Sequence, residues 1–278
     1  MSSIDLGVKH GTLLFFGGCY SNLQATQALQ QIAQGFEITP ENCFCTGDIV
    51  AYCAQPNETV QLLRDWGVQV LMGNCEESLA TDADDCGCGF AEGSACDVLA
   101  DNWYAYSVKH LDSAHKGWMR ALPRRIDFHY HNRRFAIIHG GVERINQFVF
   151  ASTPAVEKVQ QINRLAVDGI IAGHCGLPFT QWLGDVVWHN PGVIGMPAND
   201  GTVRGWYSLW QIKDDRIYIR HHALTYDATA ANEAMINAGL GNGYATSLLT
   251  GLWPSMDVLP EDERSRCAHA IRESSVIF

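Results

Sequence analysis

The feature that most constrains the fold is a repeated alternation of short apolar runs with helical patterns. Residues 12–16, 42–46 and 68–72 read TLLFF, NCFCT and VQVLM, and helical patterns at 22–34 and 56–66 separate them. The apolar runs have the length of buried strands rather than helices. Strands and helices alternating at this spacing predict parallel βαβ units, whose strands end at one edge of a sheet. Enzymes of this class place their chemistry at that edge.

The rest of the chain continues the same pattern. Helices are expected over 96–110 and 113–121, and Ser152-Thr153-Pro154 followed by Glu157 predicts the start of another. Strands are expected at 125–131, 133–139, 169–172, 186–189, 205–212 and 216–222. From residue 227 onward, short helical stretches are broken by Gly and Pro. We therefore expect one α/β domain over residues 1–278, with a helical C-terminal extension over 227–278.

Composition and charge narrow the class of protein and partner. Hydrophobic residues make up 47% of the 278 residues, which is enough for a sizeable core. No apolar run reaches the ~20 residues that a membrane-spanning helix needs, and the first residues lack a signal-peptide pattern. The sequence thus predicts a cytoplasmic protein with no membrane partner, whose ten cysteines are thiols or metal ligands rather than disulfides. A net charge of −11 argues against a nucleic-acid backbone as partner. Homo-oligomer formation stays open.

Four of the predicted strands end in glycine-containing turns that carry a polar residue. These residues are Asp48, Asn74, His139 and His174. Taken singly, each has an ordinary structural interpretation, such as a turn hydrogen bond or a buried core histidine. Together, a carboxylate, an amide oxygen and two imidazoles form a donor set suited to a divalent transition metal.

The order and spacing of these motifs resemble the calcineurin-like metallophosphoesterases, in particular the compact bacterial branch of YfcE-type phosphodiesterases. The segments that carry the resemblance are GDIVAY followed by PNETVQLLR, then GNCEE, IIHGG, AGHCGLPF and HNPGVIGMPANDG. The resemblance implies a four-layer α/β/β/α sandwich. It also implies a two-metal centre, with Mn, Fe, Zn or Ni, that hydrolyses phosphate esters of a small phosphorylated molecule.

Carried over residue by residue, the resemblance implies one complete metal site. Asp48, Asn74, His139 and His174 match the ligands of one metal, and Asp48 matches the carboxylate that bridges to the other. The remaining ligands of the other metal correspond to Gly18, Tyr20 and Gly176. We therefore expect one retained site and a variant second site, and whether a second metal binds stays open.

Several further residues stand at motif positions. Cys75 replaces the catalytic histidine of the family and could act as a weak catalytic group or as a metal ligand. Tyr20, Asn22 and Asn190 are expected to bind substrate or, for Tyr20 in particular, to fill the position of the missing ligands. Two interpretations of His189 stay open: it has a structural role, or it lies at the rim of the site. The pairs His129/His131 and His221/His222 are expected to be exposed.

The segment between residues 64 and 109 contains nine acidic residues and no Lys or Arg. Its part at 76–102 is either a solvated acidic surface or a lid over the metal site. In the second interpretation, Asp85, Cys86 and Cys88 approach the position of the missing ligands and either bind a second metal or seal the empty position.

Two functions remain in competition. One is a metal-dependent phosphoesterase acting on mono- or diesters, and the other is a catalytically impaired relative with a binding or regulatory role.

Overall fold

The computed structural model describes residues 2–278 and contains two six-stranded sheets. The first sheet, in spatial order, comprises β1 Ser3–Lys9, β5 Arg125–Tyr130, β6 Arg133–Ile138, β7 Gly169–Ala172, β9 Val186–Asn190 and β8 Phe179–Leu183. The second comprises β12 Ser275–Ile277, β11 Arg216–Leu224, β10 Gly205–Lys213, β2 Leu13–Phe16, β3 Cys43–Cys45 and β4 Gln69–Val70.

The apolar run LLFF of β2 explains why the two sheets pack together. Successive side chains of a strand point to opposite faces, and all four of these are fully buried. Phe15 belongs to the layer between the sheets, where its ring lies 5.0 Å from Phe44 and 4.9 Å from Trp210. Phe16 belongs to the opposite layer and stacks on Trp66 of a covering helix at 5.9 Å. A strand that is apolar on both faces therefore lies in the middle of the sandwich.

Helices cover both outer faces of the two sheets. They are α1 Leu23–Gly35, α2 Pro56–Trp66, α3 Asn74–Thr81, α4 Ala95–His110, α5 Ser113–Arg120, α6 Ala155–Leu165, α7 Ala228–Asn237, α8 Gly243–Thr250 and α9 Glu261–Arg264. α6 covers the first sheet, and α1, α2 and α7 lie with the second. The predicted four-layer α/β/β/α sandwich is confirmed. None of the helices in residues 2–278 is both long and apolar enough to span a bilayer.

Three strands were not predicted from the sequence, and each lies at the edge of a sheet. β1 and β8 are the two edges of the first sheet, and β12 pairs with β11 at the edge of the second. Their side chains are largely half-buried or exposed, so they lack the apolar signal of the central strands. The expected helical extension is present as three helices between residues 228 and 264, and it ends in the short strand β12.

The directions of the strands bring several turns to one edge of the sandwich. β2, β3 and β4 run parallel in one sheet, and β6, β7 and β9 run parallel in the other. The turns that follow β3, β6 and β7 carry three of the candidate metal ligands, and the fourth, Asn74, is the first residue of α3, directly after the turn that follows β4.

Candidate metal centre

The four candidate ligands converge on the ring nitrogen Nε2 of His139. This atom lies 3.2 Å from Asp48 Oδ2, 3.0 Å from Asn74 Oδ1 and 3.2 Å from His174 Nδ1. One ligand atom from each of Asp48, His139 and His174 lies within 4.8 Å of the other two. All four side chains are buried. Two of them come from each sheet, so the cluster bridges the sandwich.

The hydrogen bonds of His139 show why a cation fits this cluster. Its Nδ1 lies 2.6 Å from the carbonyl oxygen of Thr46, which can only accept, so Nδ1 carries the proton. In the neutral ring Nε2 then presents a lone pair, facing a carboxylate oxygen, an amide oxygen and a second ring nitrogen. Lone pairs that converge in a buried space require a positive charge between them. Ligand atoms about 3 Å apart are the spacing expected around a metal with bonds of about 2.0–2.2 Å.

The two histidines titrate in opposite directions, and a positive charge, either a proton or a metal ion, is favoured at His139 Nε2. Burial lowers the pKa of His139, but the Asp48 carboxylate more than offsets this, and the net pKa lies above its usual value. Burial, followed by the neighbouring His139, lowers the pKa of His174 to about 3. His174 therefore stays neutral and keeps a lone pair available for a metal.

Asn74 is held so that its amide oxygen faces the cluster. Its Nδ2 donates to the carbonyl oxygen of Cys86 at 3.0 Å and lies 3.5 Å from the sulfurs of Cys75 and Cys88. Because Nδ2 is committed on that side, Oδ1 points towards His139. The segment that follows α3 thus orients one of the candidate ligands.

Glu76 is a structural partner of the site that the sequence reasoning missed. Its fully buried carboxylate accepts hydrogen bonds from the backbone N–H groups of Asp48 and Ile49 at 2.7 Å, Gly73 at 2.9 Å and Val50 at 3.3 Å. These bonds fix the turn in which Asp48 has a φ of 56°. Burial and then the Asp48 carboxylate raise the pKa of Glu76 to about 7. The sequence does contain a signal for this role. Glu76 stands three residues after Gly73 at the start of a helix, where a glutamate side chain commonly bonds back to the backbone N–H of the capping residue.

Tyr20 fills the space next to the positions of the missing ligands. A Cβ atom added at Gly18 would lie 2.6 Å from Cζ of the Tyr20 ring, and one added at Gly176 would lie 3.9 Å from the Tyr20 hydroxyl. The ring also packs edge-on against Tyr52 at 4.7 Å. Burial, with Asp48 as the next cause, raises the pKa of Tyr20 well above its usual value, so the hydroxyl stays protonated.

Asn22 and Asn190 do not face the cluster with free groups. Asn22 caps α1 by accepting a 3.0 Å hydrogen bond from the Ala25 N–H. Its side-chain Nδ2 donates to the backbone carbonyl of Gly195 at 2.9 Å. Asn190 donates to the Gly173 carbonyl and accepts from the Gly192 N–H, both at 2.9 Å. Their side-chain groups make hydrogen bonds that fix turns, and a role in binding substrate stays a prediction.

Cys75 is buried beside the candidate ligands Asp48 and Asn74, and its catalytic role stays a prediction. The side chain is buried, and burial followed by the Asp48 carboxylate raises the pKa of its thiol well above the usual value. A protonated thiol is a weak nucleophile and a poor metal ligand. Its backbone N–H donates to Asp48 Oδ1 at 3.3 Å, so the residue contributes to the site through its main chain.

The acidic segment reaches the cluster through two of the three residues considered. Cys86 and Cys88 are buried and joined by a disulfide, which corrects the expectation of thiols or metal ligands, and they contact Asn74. Asp85 does not reach the site. It is exposed and accepts a hydrogen bond from the Gly87 N–H at 2.7 Å, which turns it back towards solvent.

Two further buried histidines, His189 and His221, have structural roles. His189 lies 2.7 Å from the Ser208 hydroxyl and 2.8 Å from the Thr180 hydroxyl, in a fully buried position. His221 is buried and 2.9 Å from the Asn190 carbonyl, so the expectation that it is exposed is wrong.

Comparison with known proteins agrees with the fold and the cluster. The model of the calcineurin-like phosphoesterase superfamily domain matches residues 20–232. A protein of Methanocaldococcus jannaschii is 25% identical over 248 residues, which cover 84% of this chain and 95% of that protein. A metallophosphoesterase from Sphaerobacter thermophilus has a TM-score of 0.67 at 18% identity, covering 88% of this chain and 100% of that one. A Pyrococcus horikoshii protein has a TM-score of 0.72 at 15% identity, covering 86% and 98%. Since the family model spans most of the sequence and the sandwich and cluster follow its pattern, the chain belongs to the calcineurin-like phosphoesterase superfamily.

Proposed function

We propose that the protein is a metal-dependent phosphoesterase that works with one metal site, formed by Asp48, Asn74, His139 and His174. The observation that carries the proposal is the convergence of three acceptor atoms on the lone pair of His139 Nε2. When bound there, a divalent transition metal (Mn, Fe, Zn or Ni) supplies polarisation of a phosphoryl oxygen and a lowered pKa for a coordinated water.

The residues of the chain have distinct parts in this proposal. Asp48 supplies the negative charge of the site, and the Thr46 carbonyl holds His139 in the tautomer that binds metal. The Tyr20 hydroxyl, kept protonated by burial, is a donor that can orient a phosphoryl oxygen. This arrangement fits the YfcE-type branch with a variant second site, acting on a small phosphorylated molecule.

Metal content and turnover together test the proposal. Protein stripped with a chelator and reloaded with Mn²⁺ or Zn²⁺ should hold about one metal per chain and hydrolyse bis-p-nitrophenyl phosphate. His139→Ala should lose both the metal and the activity, because the variant removes the atom at the centre of the cluster. His10→Ala, at an exposed position, is the matched control and should keep both. Equal metal content in wild type and His139→Ala would contradict the assignment.

One observation favours a second candidate function, a metal-containing protein that binds its ligand without hydrolysing it. Tyr20 occupies the space beside Gly18 and Gly176, where the family pattern places ligands of the other metal. Metal at one ion per chain without turnover of any mono- or diester would favour this candidate. Turnover that disappears in His139→Ala and persists in His10→Ala would rule it out.

A further inference from the structure

The disulfide between Cys86 and Cys88 closes a short loop, residues 86–88, that contacts the candidate ligand Asn74. The Nδ2 group of Asn74 donates to the Cys86 carbonyl at 3.0 Å and lies 3.5 Å from the Cys88 sulfur. On the other side of the amide, Oδ1 lies 3.0 Å from His139 Nε2. The disulfide loop therefore determines which end of this amide faces the candidate metal.

The orientation of the Asn74 amide matters because its two ends have opposite chemistry. The oxygen is an acceptor and can bind a cation, whereas the NH₂ group is only a donor. The two ends are similar in size, so packing alone does not distinguish them. The acceptor that Nδ2 finds in the disulfide loop does distinguish them. If that acceptor moves, the amide can turn and present its N–H groups to the cation.

The disulfide is the covalent restraint on this acceptor. It spans a single residue, Gly87, which has a φ of 63°. Glycine has more conformational freedom to lose than any other residue, so a loop centred on it depends on restraints from outside. The Gly87 N–H donates to the exposed Asp85 carboxylate at 2.7 Å, and its carbonyl accepts from Asn146 at 2.9 Å. Breaking the S–S bond would leave the Cys86 carbonyl held by hydrogen bonds alone.

Reduction of the disulfide needs a local opening of the segment that carries it. Cys86 is 6% exposed and Cys88 is 4% exposed, so the closed structure shields both sulfurs from an external thiol. The hydrogen bond from Asn146 to Gly87 is one of the few that attach this segment to the rest of the chain. Segments held in this way open at a small fraction of the global unfolding free energy. The disulfide is therefore protected but within reach of a small reductant.

We propose that the Cys86–Cys88 disulfide is a redox-sensitive positioning element, which holds Asn74 in its metal-binding orientation when oxidised and weakens metal binding when a dithiol reduces it. A thiolate of the dithiol attacks one sulfur, forms a mixed disulfide and releases the other cysteine as a thiol. The second thiol of the reductant then displaces the first cysteine. Two electrons and two protons pass to the protein, which ends with two thiols, and the reductant ends as a cyclic disulfide.

The proposal deepens the proposed function and rests on its metal site. It does not need turnover, because the property that changes is the affinity for the metal. A contact that orients a metal ligand is typically worth about 10–100-fold in metal affinity.

Calorimetric titration with Mn²⁺ tests the proposal on the full chain. It compares oxidised protein with protein reduced by dithiothreitol, after anaerobic removal of the reductant so that none competes for the metal. The Kd for Mn²⁺ should rise by about tenfold or more on reduction, and return on reoxidation with oxidised glutathione. Alkylation and mass spectrometry should label Cys86 and Cys88 only after reduction. An equal Kd with both cysteines labelled would overturn the proposal, and so would a disulfide that the dithiol leaves intact.

One variant separates amide orientation from a general loss of structure. Asn74→Asp gives the side chain two equivalent oxygens, so turning it no longer replaces an acceptor with a donor. Its Kd for Mn²⁺ should therefore be the same with the disulfide oxidised or reduced. A ratio as large as in wild type would overturn the role of the amide.

Two cysteine variants identify the disulfide as the source of the response. Cys86→Ser/Cys88→Ser should bind Mn²⁺ as weakly as reduced wild type and should not respond to the dithiol. Cys267→Ser, which removes a half-buried free thiol in the C-terminal extension, is the control and should respond like wild type. If the double variant fails to fold, the comparison of the two wild-type states still decides.

The outcomes distinguish this proposal from the proposed function. If both redox states bind Mn²⁺ equally and hydrolyse the diester, the redox role fails while the proposed function stands. If the oxidised protein binds Mn²⁺ more tightly than the reduced protein but hydrolyses no mono- or diester, the proposed function fails while the redox role stands. Absence of Mn²⁺ binding in both states would overturn the metal site on which both rest.

Discussion

At the scale of single residues, the site depends on how closely the main chain approaches His139. Gly47, in the GDIVAY segment, has a φ of 98°. A Cβ atom there would lie 2.8 Å from His139 Nδ1 and 2.7 Å from the Gly73 backbone nitrogen. The absence of a side chain therefore lets the turn after β3 meet the turn after β4 and the imidazole. The glycines beside the candidate ligands are part of the geometry of the site.

Glu76 should contribute more to stability than any exposed acidic residue, because four backbone N–H groups depend on its carboxylate. Glu76→Gln replaces one acceptor oxygen with a donor that faces other donors. We expect it to lower the free energy of unfolding by about 3 kcal/mol, measured by urea denaturation. Glu77→Gln is the matched control, since Glu77 pairs with Arg124 at the surface, and should cost less than about 1 kcal/mol. Equal losses in the two variants would contradict this role.

Gly18 and Tyr20 should be coupled, because the ring of Tyr20 occupies the space of any side chain at position 18. Gly18→Asp alone should lower the melting temperature. The double variant Gly18→Asp/Tyr20→His removes the contact with the tyrosine ring, while Val193 stays close, and should recover part of the loss, raising the metal content from about one towards two per chain. Both quantities are measured on protein reloaded with Mn²⁺. A double variant as destabilised as the sum of its single changes would show that the residues are independent.

At the scale of elements, the segment between α3 and α4 contacts the candidate ligand Asn74 and is held to the rest of the chain by few hydrogen bonds. Asn146 Nδ2 donates to the Gly87 carbonyl at 2.9 Å, and the Tyr104 hydroxyl donates to the Ala83 carbonyl at 2.8 Å. At its far end, the Ala95 N–H donates to Asp257 at 3.0 Å. Segments with few attachments open locally at a small fraction of the global unfolding free energy.

Loosening one attachment should expose this segment to proteolysis. Asn146→Ala removes a hydrogen bond worth about 1 kcal/mol, which corresponds to about a fivefold rise in the population of the opened segment. A glutamate-specific protease should then cleave after the exposed Glu92 about five times faster. Asn232→Ala removes a similar amide–carbonyl bond, to Ala245, in the C-terminal extension and should leave this cleavage rate unchanged. Equal cleavage rates in the two variants would show that Asn146 does not restrain the segment.

The central elements were predictable and the edges were not, for a physical reason. α2 and β7 begin and end where expected, because Pro56 marks the first turn of the helix and GIIA is a fully buried strand. β1, β8 and β12 carry mixed burial, so neither periodicity nor an apolar run marks them. A strand can be predicted from the local sequence when its buried faces impose a pattern of apolar residues, and edge strands have few buried positions.

The same distinction applies to the site. The four candidate ligands were found because each follows a predicted strand beside a glycine. The backbone hydrogen bonds of Asn22 and Asn190 could not be predicted from the sequence, because their partners are brought together only by the fold. The Cys86–Cys88 disulfide and the four-fold role of Glu76 likewise depend on how separate turns meet in space.

At the scale of the whole molecule, buried neutral histidines set an acid limit on stability. The rings of His189 and His221 lie 4.9 Å apart within the sandwich. Burial, followed by His221, lowers the pKa of His189 well below its usual value. Burial lowers the pKa of His221 to about 4, although the Asn190 carbonyl opposes the change and His222 adds to it. Both side chains are therefore favoured in the neutral form by the fold.

Stability should fall as the pH drops from about 6.5 towards 4. A histidine with a lowered pKa in the folded state stabilises the fold fully above its unfolded pKa, and that contribution is lost on acidification. His221 alone should cost about 2 kcal/mol at pH 5 relative to pH 7.5, measured by urea denaturation of metal-free protein. His221→Gln should reduce this difference, and His10→Gln, at an exposed position, should not. Identical differences in wild type and His221→Gln would assign the acid sensitivity to other groups.

The division of the four candidate ligands between the two sheets has a mechanical consequence. Asp48 and Asn74 follow strands of the second sheet, and His139 and His174 follow strands of the first. A cation held by all four would join the two sheets at one edge, in addition to the apolar layer between them. Because metal binding adds to the free energy of the folded state, pulling the sheets apart would have to break coordination bonds first. The loaded protein should therefore withstand a larger shearing force between its layers than the metal-free protein, whether or not it turns over a substrate.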